Sequence, residues 1–211
     1  MAVFELKHPL IEHKLTNLRN KNTDTKLFRE SLNEIAGLMV YEATKHLPLK
    51  EIETETPIMK TRTKVLDEPI TLVPILRAGL GMIDGIQQLL PNAKVGHLGV
   101  YRNEETLEPV YYYAKMPSNV TESQVFVVDP MLATGGSMEL GFKAFLTKGT
   151  PKQIHVCCVI ASPEGIDHIK KTFPEDKTTI WCAAIDPGMN EHKYIVPGFG
   201  DAGDLCYGEK L

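Results

Sequence analysis

The residues best equipped for chemistry lie in the run Val125-Phe126-Val127-Val128-Asp129-Pro130-Met131-Leu132-Ala133-Thr134-Gly135-Gly136-Ser137. An apolar stretch ends in an acid, a loop of small residues follows, and a helical pattern begins at Gly136. Gly135 and Gly136 let the backbone approach an anion closely, Thr134 and Ser137 add hydroxyl donors, and the positive end of the following helix completes a phosphate cradle. Asp129, at the carboxyl end of the apolar strand, is placed to accept hydrogen bonds from a sugar diol beside that phosphate. The pair reads as a ribose phosphate site. The same composition also suits an ordinary strand-to-helix connection capped by Ser or Thr, and the loop alone supports the two readings equally.

A second candidate is Arg77, which follows the apolar run Ile70 to Leu76 and precedes Gly79 and Gly81. A guanidinium fork beside approachable backbone suits a doubly charged leaving group, and pyrophosphate is the natural ligand. Gly79, Gly81 and Gly85 also come close to a dinucleotide-binding fingerprint, but the last interval is one residue too long and Arg77 would crowd the turn. The seven histidines show no metal-ligand spacing, and neither a P-loop nor a GxSxG nucleophile motif occurs.

These residues need a framework to hold them. Asp24 to His46 carries Leu27, Phe28, Ile35, Leu38, Met39 and Ala43 at helical spacing and stops before Pro48. Ile70 to Leu76 reads as a strand, and the repeat of Leu80, Ile83, Ile86 and Leu89 reads as a helix ending before Pro91. The alternation continues with strands at Val95 to Val100, Val125 to Asp129, Ile154 to Ala161 and Thr179 to Ile185, and helices at Gly136 to Leu146 and Pro163 to Lys171. Continuous apolar strands separated by helices predict an α/β fold with a parallel sheet buried on both faces, its ligands held at loops beyond the carboxyl ends of the strands. Two stretches depart from the pattern. Residues 101–120, with Tyr111-Tyr112-Tyr113, read as an extended arm or hairpin, and residues 186–211, rich in glycine, read as a loop-built cap.

Composition limits the remaining options. A chain of 211 residues with 43% hydrophobic and 24% charged content is expected to form one compact domain, 1–211. A net charge of -4 offers no general attraction to nucleic acid or an anionic membrane, so any phosphate binding must be local. Cys157, Cys158, Cys182 and Cys206 form no CxxC pair and read as reduced core thiols. With no apolar run approaching membrane length and no targeting pattern at Met1 to Lys7, a soluble cytoplasmic protein is expected.

The stretch Asp129 to Ser137 resembles the phosphoribosyl pyrophosphate (PRPP) motif of type I phosphoribosyltransferases, in the form found in uracil phosphoribosyltransferases. Further similarity lies at Pro74-Ile75-Leu76-Arg77-Ala78-Gly79-Leu80-Gly81 and at Tyr194-Ile195-Val196-Pro197-Gly198-Phe199-Gly200-Asp201-Ala202-Gly203-Asp204, and it extends from about Pro9 to the C-terminus. The wider superfamily has two adjacent acids at the strand end, whereas Asp129 is followed here by Pro130, as in the uracil enzymes.

The resemblance implies transfer of the phosphoribosyl group of PRPP to uracil, giving UMP and pyrophosphate. It implies the type I phosphoribosyltransferase fold, with N-terminal helices, an extended β-arm and a C-terminal hood. PRPP contacts fall on Arg77, Arg102, Asp129, Pro130, Met131, Leu132, Ala133, Thr134, Gly135, Gly136, Ser137 and Asp201, and uracil contacts on Ile195, Gly200, Asp201 and Ala202. Arg77 and Arg102 are the expected stabilisers of the leaving group, and Asp201 is the candidate for assisting N1 deprotonation. Read from the residues alone, Arg102 is a solvated arginine beside Glu104 and Glu105. The implied cofactor is Mg²⁺ carried by PRPP, with no direct protein ligand and a water bridge to Asp201. Further implications are a homo-oligomer, dimer or tetramer, touching through the N-terminal helices, and closure of the arm over the site; GTP is an allosteric activator in some relatives, but no residue set in this sequence marks an effector site. Backbone groups in the cap would pair with O4 and N3–H of uracil, while cytosine reverses both and leaves buried partners unpaired, at about 1–3 kcal/mol per group. The rival readings are an enzyme of the same fold for another base, and an mRNA-binding regulator, which the net charge of -4 disfavours.

Overall fold

A computed structural model of the chain describes residues 1–102, 109–147 and 149–209, excepting the side chains of residues 102, 109 and 145. The elements in chain order are β1 (Ala2–Glu5), α1 (Pro9–Arg19), α2 (Thr25–Ala43), β2 (Leu49–Glu55), β3 (Lys60–Leu66), β4 (Ile70–Leu76), α3 (Leu80–Leu89), β5 (Lys94–Val95), β6 (His97–Arg102), β7 (Pro109–Lys115), β8 (Gln124–Val128), β9 (Met131–Leu132), α4 (Gly136–Leu146), β10 (Gln153–Ala161), α5 (Pro163–Thr172), β11 (Thr178–Ile185), β12 (Gly188–Met189), β13 (Ile195–Val196) and α6 (Ala202–Tyr207).

The main sheet runs in the order β1-β11-β10-β8-β4-β6-β7, with β5 beside β4 and β9 beside β10. Its pairs are parallel except β6 with β7. Alternate side chains of each strand enter separate cores. Phe126 and Val128 pack with Phe28, Leu32, Met39, Met82 and Ile86 of α2 and α3. Val125 and Val127 join Met138, Phe142, Ile166 and Ile169 of α4 and α5 on the other face. All five residues of β8 are buried, as expected for a parallel sheet covered on both sides. The four cysteines are buried and free, and no described helix is long and apolar enough to cross a membrane.

Several boundaries follow from local chemistry. Helix α2 starts where the Asp24 carboxylate accepts the Leu27 N–H, and α5 starts where Ser162 accepts that of Gly165. The strand expected over Val95 to Val100 is broken at Gly96, whose N–H bonds Leu72 O, so β5 and β6 pair with different stretches of β4. The hairpin expected after Tyr101 is present as the edge pair β6–β7, with Tyr111, Tyr112 and Tyr113 exposed.

Strand β1, the hairpin β2–β3 and helix α6 are additions to the sequence reading. Strand β1 closes the opposite edge against β11, with Phe4 stacked on Trp181 at 4.5 Å. Strands β2 and β3 form a separate antiparallel hairpin, and helix α6 stands where a purely loop-built cap was expected.

Candidate active site

Strands β4 and β8 are parallel neighbours, with Pro74 paired to Val128, so the loops leaving their carboxyl ends emerge side by side. The first loop carries Arg77 and the second begins at Asp129. Sheet register thus brings the two strongest sequence candidates to one end of the fold.

Asp129 is half-buried and anchored by its N–H, which donates to Cys157 O at 3.1 Å. Desolvation pushes its carboxyl up to about 8, against the opposing pull of the Met131 N–H, and the nearby Asp201 charge adds to the rise. Pro130 and Leu132 are buried, and the Pro130 carbonyl accepts the N–H groups of Val159 and Ile160 at 2.9 and 3.0 Å. Residues Met131 and Leu132 continue as β9 along β10. These three therefore stitch the motif to the sheet, leaving Ala133 to Ser137 as the candidate cradle.

Gly135 has φ of 84°, and a Cβ there would lie 2.8 Å from His168 Cδ2. His168 Nε2 is 2.8 Å from Glu139 Oε2, and Glu139 N–H bonds Gly135 O at 3.0 Å. The cradle thus rests on an imidazole from α5 pinned by a carboxylate from α4. Helix α4 begins at Gly136, and the first N–H groups of a helix have no partner within it, which suits them to an anion.

Arg77 follows a cis peptide bond from Leu76. Its Nη2 donates to Asp204 Oδ1 at 2.7 Å and to Gly208 O at 3.2 Å, so the guanidinium lies against α6. Gly79 has a packing reason to lack a side chain: a Cβ there would lie 2.3 Å from Val128 O and 2.8 Å from Ile75 N. The sheet under the turn therefore already demands the absence of a side chain. Arg102 ends β6, but its side chain and residues 103–108 lie outside the described residues, as does the expected closure that depends on them.

The cap consists of the antiparallel pair β12–β13, a turn through Pro197 to Gly200, and α6. Phe199 packs edge-on against Phe28 at 5.7 Å, tying the turn to α2. Ile195 and Ala202 are buried, which leaves their backbone rather than their side chains to meet a ligand. The Asp201 carboxylate caps α6 by accepting the Asp204 N–H at 3.0 Å, and its charge reaches Asp129. Arg77 therefore contacts the cap directly, and the Asp129–Ser137 motif lies near enough to it for the charges of Asp129 and Asp201 to oppose each other. Sequence reasoning missed Asp204, His168 and the Arg19–Asp186 pair. The Asp201-x-x-Asp204 spacing, an N-cap signature, is the one local signal that could have revealed α6.

Among the described residues, no group of three or more His, Cys, Asp or Glu side chains could hold a metal directly. Asp129 and Asp201 are nonetheless hard oxygen donors whose charges oppose each other, a donor set that fits a hydrated Mg²⁺.

A family profile described as uracil phosphoribosyltransferase matches residues 5–209. A uracil phosphoribosyltransferase of Wolinella succinogenes is 53% identical over 211 residues, covering 100% of each chain. Among solved structures, the AQ2163 protein from Aquifex aeolicus superimposes with a TM-score of 0.92 at 42% identity, covering 98% of each chain. A hypoxanthine-guanine phosphoribosyltransferase from Bacillus anthracis shares the fold at a TM-score of 0.50 and 14% identity, over 77% of this chain and 80% of its own. With a strand-loop-helix cradle at the carboxyl end of a mainly parallel sheet, and full-length similarity on both measures, the chain belongs to the uracil phosphoribosyltransferase family.

Proposed function

We propose that the protein transfers the 5-phosphoribosyl group of PRPP to uracil, releasing pyrophosphate and forming UMP. The observation that carries this reading is the convergence of the Asp129–Ser137 motif, Arg77 and the cap at one end of the sheet. The Thr134 to Ser137 loop and the N-terminus of α4 hold the 5-phosphate, and Asp129 accepts the ribose hydroxyls, which fixes C1 toward the base. The Ile195 and Gly200 to Ala202 backbone reads uracil. As the bond from C1 to uracil N1 forms, the bond from C1 to the pyrophosphate oxygen breaks and its electron pair leaves with pyrophosphate. Arg77 and Arg102 meet the growing negative charge. Asp201 takes the N1 proton. Mg²⁺ arriving with PRPP would be held near Asp129 and Asp201 through water and supplies positive charge against the diphosphate.

Assembly into a homo-oligomer belongs to the same proposal. A groove of about 720 Å³ between α1, α2 and α3, lined by Leu10, Tyr41 and Leu89 among others, supports a second copy as its occupant. The whole chain acting as one catalytic domain, with the cap as its base-reading part, is likewise part of this reading.

The test is incubation with PRPP, Mg²⁺ and a panel of uracil, cytosine, orotate, adenine and hypoxanthine, with mononucleotide formation measured. UMP alone is expected. Absence of UMP, or equal use of cytosine, would overturn the reading.

A further inference from the structure

Arg77 has a long side chain with many rotamers, and a group that stabilises a leaving anion works best when already aimed. In the structure it is held. Nη2 meets both Asp204 Oδ1 at 2.7 Å and Gly208 O at 3.2 Å, at the two ends of one short helix. Asp204 is itself fixed, because its N–H is bound by the Asp201 carboxylate. A Cβ on Gly203 would come to 3.2 Å from Asp201 Oδ1 and 3.8 Å from Arg77 Nη2, so the Asp201 and Arg77 side chains converge around this point.

The pair has little to do with holding the fold together. Arg77 is 40% exposed and Asp204 26%, a setting in which an ion pair adds little stability. Nor does it exhaust the arginine, whose fork has five N–H donors on three nitrogens. What the contact does is fix the guanidinium relative to the helix that follows the base-reading loop.

We propose that Asp204 is a positioning residue for Arg77: through Nη2 it aims the guanidinium at the pyrophosphate position and ties it to the cap. The inference rests on the phosphoribosyl-transfer reading above and assigns Asp204 no contact with either substrate.

The test is a set of steady-state measurements on the full chain, with PRPP and uracil varied separately, for Asp204→Ala, Asp204→Asn, Arg77→Ala and the Asp204→Ala/Arg77→Ala double variant. Loss of a charge-assisted hydrogen bond is expected to raise the KM for PRPP about tenfold in Asp204→Ala while the KM for uracil stays within about twofold. Asp204→Asn keeps an acceptor at the same position and is expected to recover most of the loss, which also separates positioning from misfolding. In the Arg77→Ala background, removing Asp204 should change the KM for PRPP by less than about twofold. A lower KM for PRPP in Asp204→Ala would overturn the proposal by making Asp204 a competitor of the substrate. An undiminished effect without Arg77, or equal rises in both KM values, would overturn it as well. An active wild type with the wrong Asp204 pattern sinks this inference alone, whereas a folded wild type that forms no UMP sinks the functional reading and this inference with it.

Discussion

Arg19 and Asp186 form a two-pronged ion pair, Nη1 to Oδ2 at 2.8 Å and Nη2 to Oδ1 at 2.6 Å, that joins the end of α1 to the residue after β11. The same two side chains grip the cap, since Arg19 Nη1 donates to Gly198 O at 3.0 Å and the Gly198 N–H donates to Asp186 Oδ2 at 2.9 Å. The height of the cap turn above the sheet is thereby set by these two side chains.

Arg19→Ala should therefore cost about 3 kcal/mol of stability at neutral pH, because Asp186, only 6% exposed, is left as a buried charge without its partner. Burial pushes the Asp186 carboxyl up, but Arg19 and the Gly198 N–H outweigh it and hold it below its usual 3.8. The ionised form is thus favoured by folding, and the contribution of the pair is present above pH 3.8 and lost as pH falls through the lower folded value. Urea unfolding of wild type and variant at neutral pH and at about pH 3 measures this. An equal difference at both pH values would contradict it. On the proposed function, the KM for uracil should rise more than that for PRPP.

Asp129 should give PRPP binding a pH signature. Desolvation first, and then the Asp201 charge, raise its carboxyl to about 8, so it is mostly protonated near neutrality without ligand. The stability linked to this raised value is full below 3.8 and is lost as pH rises through about 8. Sugar hydroxyls donating to the group favour its charged form, so binding should release a proton, and affinity for PRPP should grow as pH approaches 8. Calorimetry in two buffers of different ionisation heat detects that proton. Asp129→Asn is expected to abolish the buffer dependence and to weaken PRPP binding by about tenfold or more. Identical heats for wild type in both buffers would rule the idea out.

Gly135→Ala tests the cradle. An alanine at φ of 84° is strained by about 1–3 kcal/mol, and its Cβ would press on His168, which is held in place by Glu139. A lower melting temperature and a KM for PRPP raised at least about tenfold are expected. Gly188→Ala is the control, since a Cβ there meets nothing within 4 Å. Comparable losses in both variants would show that the cradle is not special.

Much of the framework is legible because its signals are local. Strand β4 matches the expected Ile70 to Leu76, and α4 the expected Gly136 to Leu146, residue for residue. A buried parallel strand announces itself as an unbroken apolar run, and a glycine loop marks where the helix must start. The Asp129–Ser137 segment is legible for the same reason, since all its residues lie within one strand-loop-helix unit. The hairpin β2–β3 is not, because Leu49-Lys50-Glu51-Ile52-Glu53-Thr54-Glu55 lacks an apolar alternation and all but Thr54 of it is exposed. Helix α6 is hidden because a glycine-rich composition outweighs the one capping signal at Asp201.

The relations that join the site's parts cross long stretches of chain. Arg77 reaches Asp204 over 127 residues and Arg19 reaches Asp186 over 167. Charge and residue type identify each partner as capable of pairing, but many other acids could have paired with either arginine. Residue order thus specifies the loop from Asp129 to Ser137 and the strand and helix that flank it, since these depend on neighbours along the chain. Which carboxylate aims Arg77, and which one sets the height of the cap, is decided by packing, because only the folded sheet brings these distant residues within hydrogen-bonding distance.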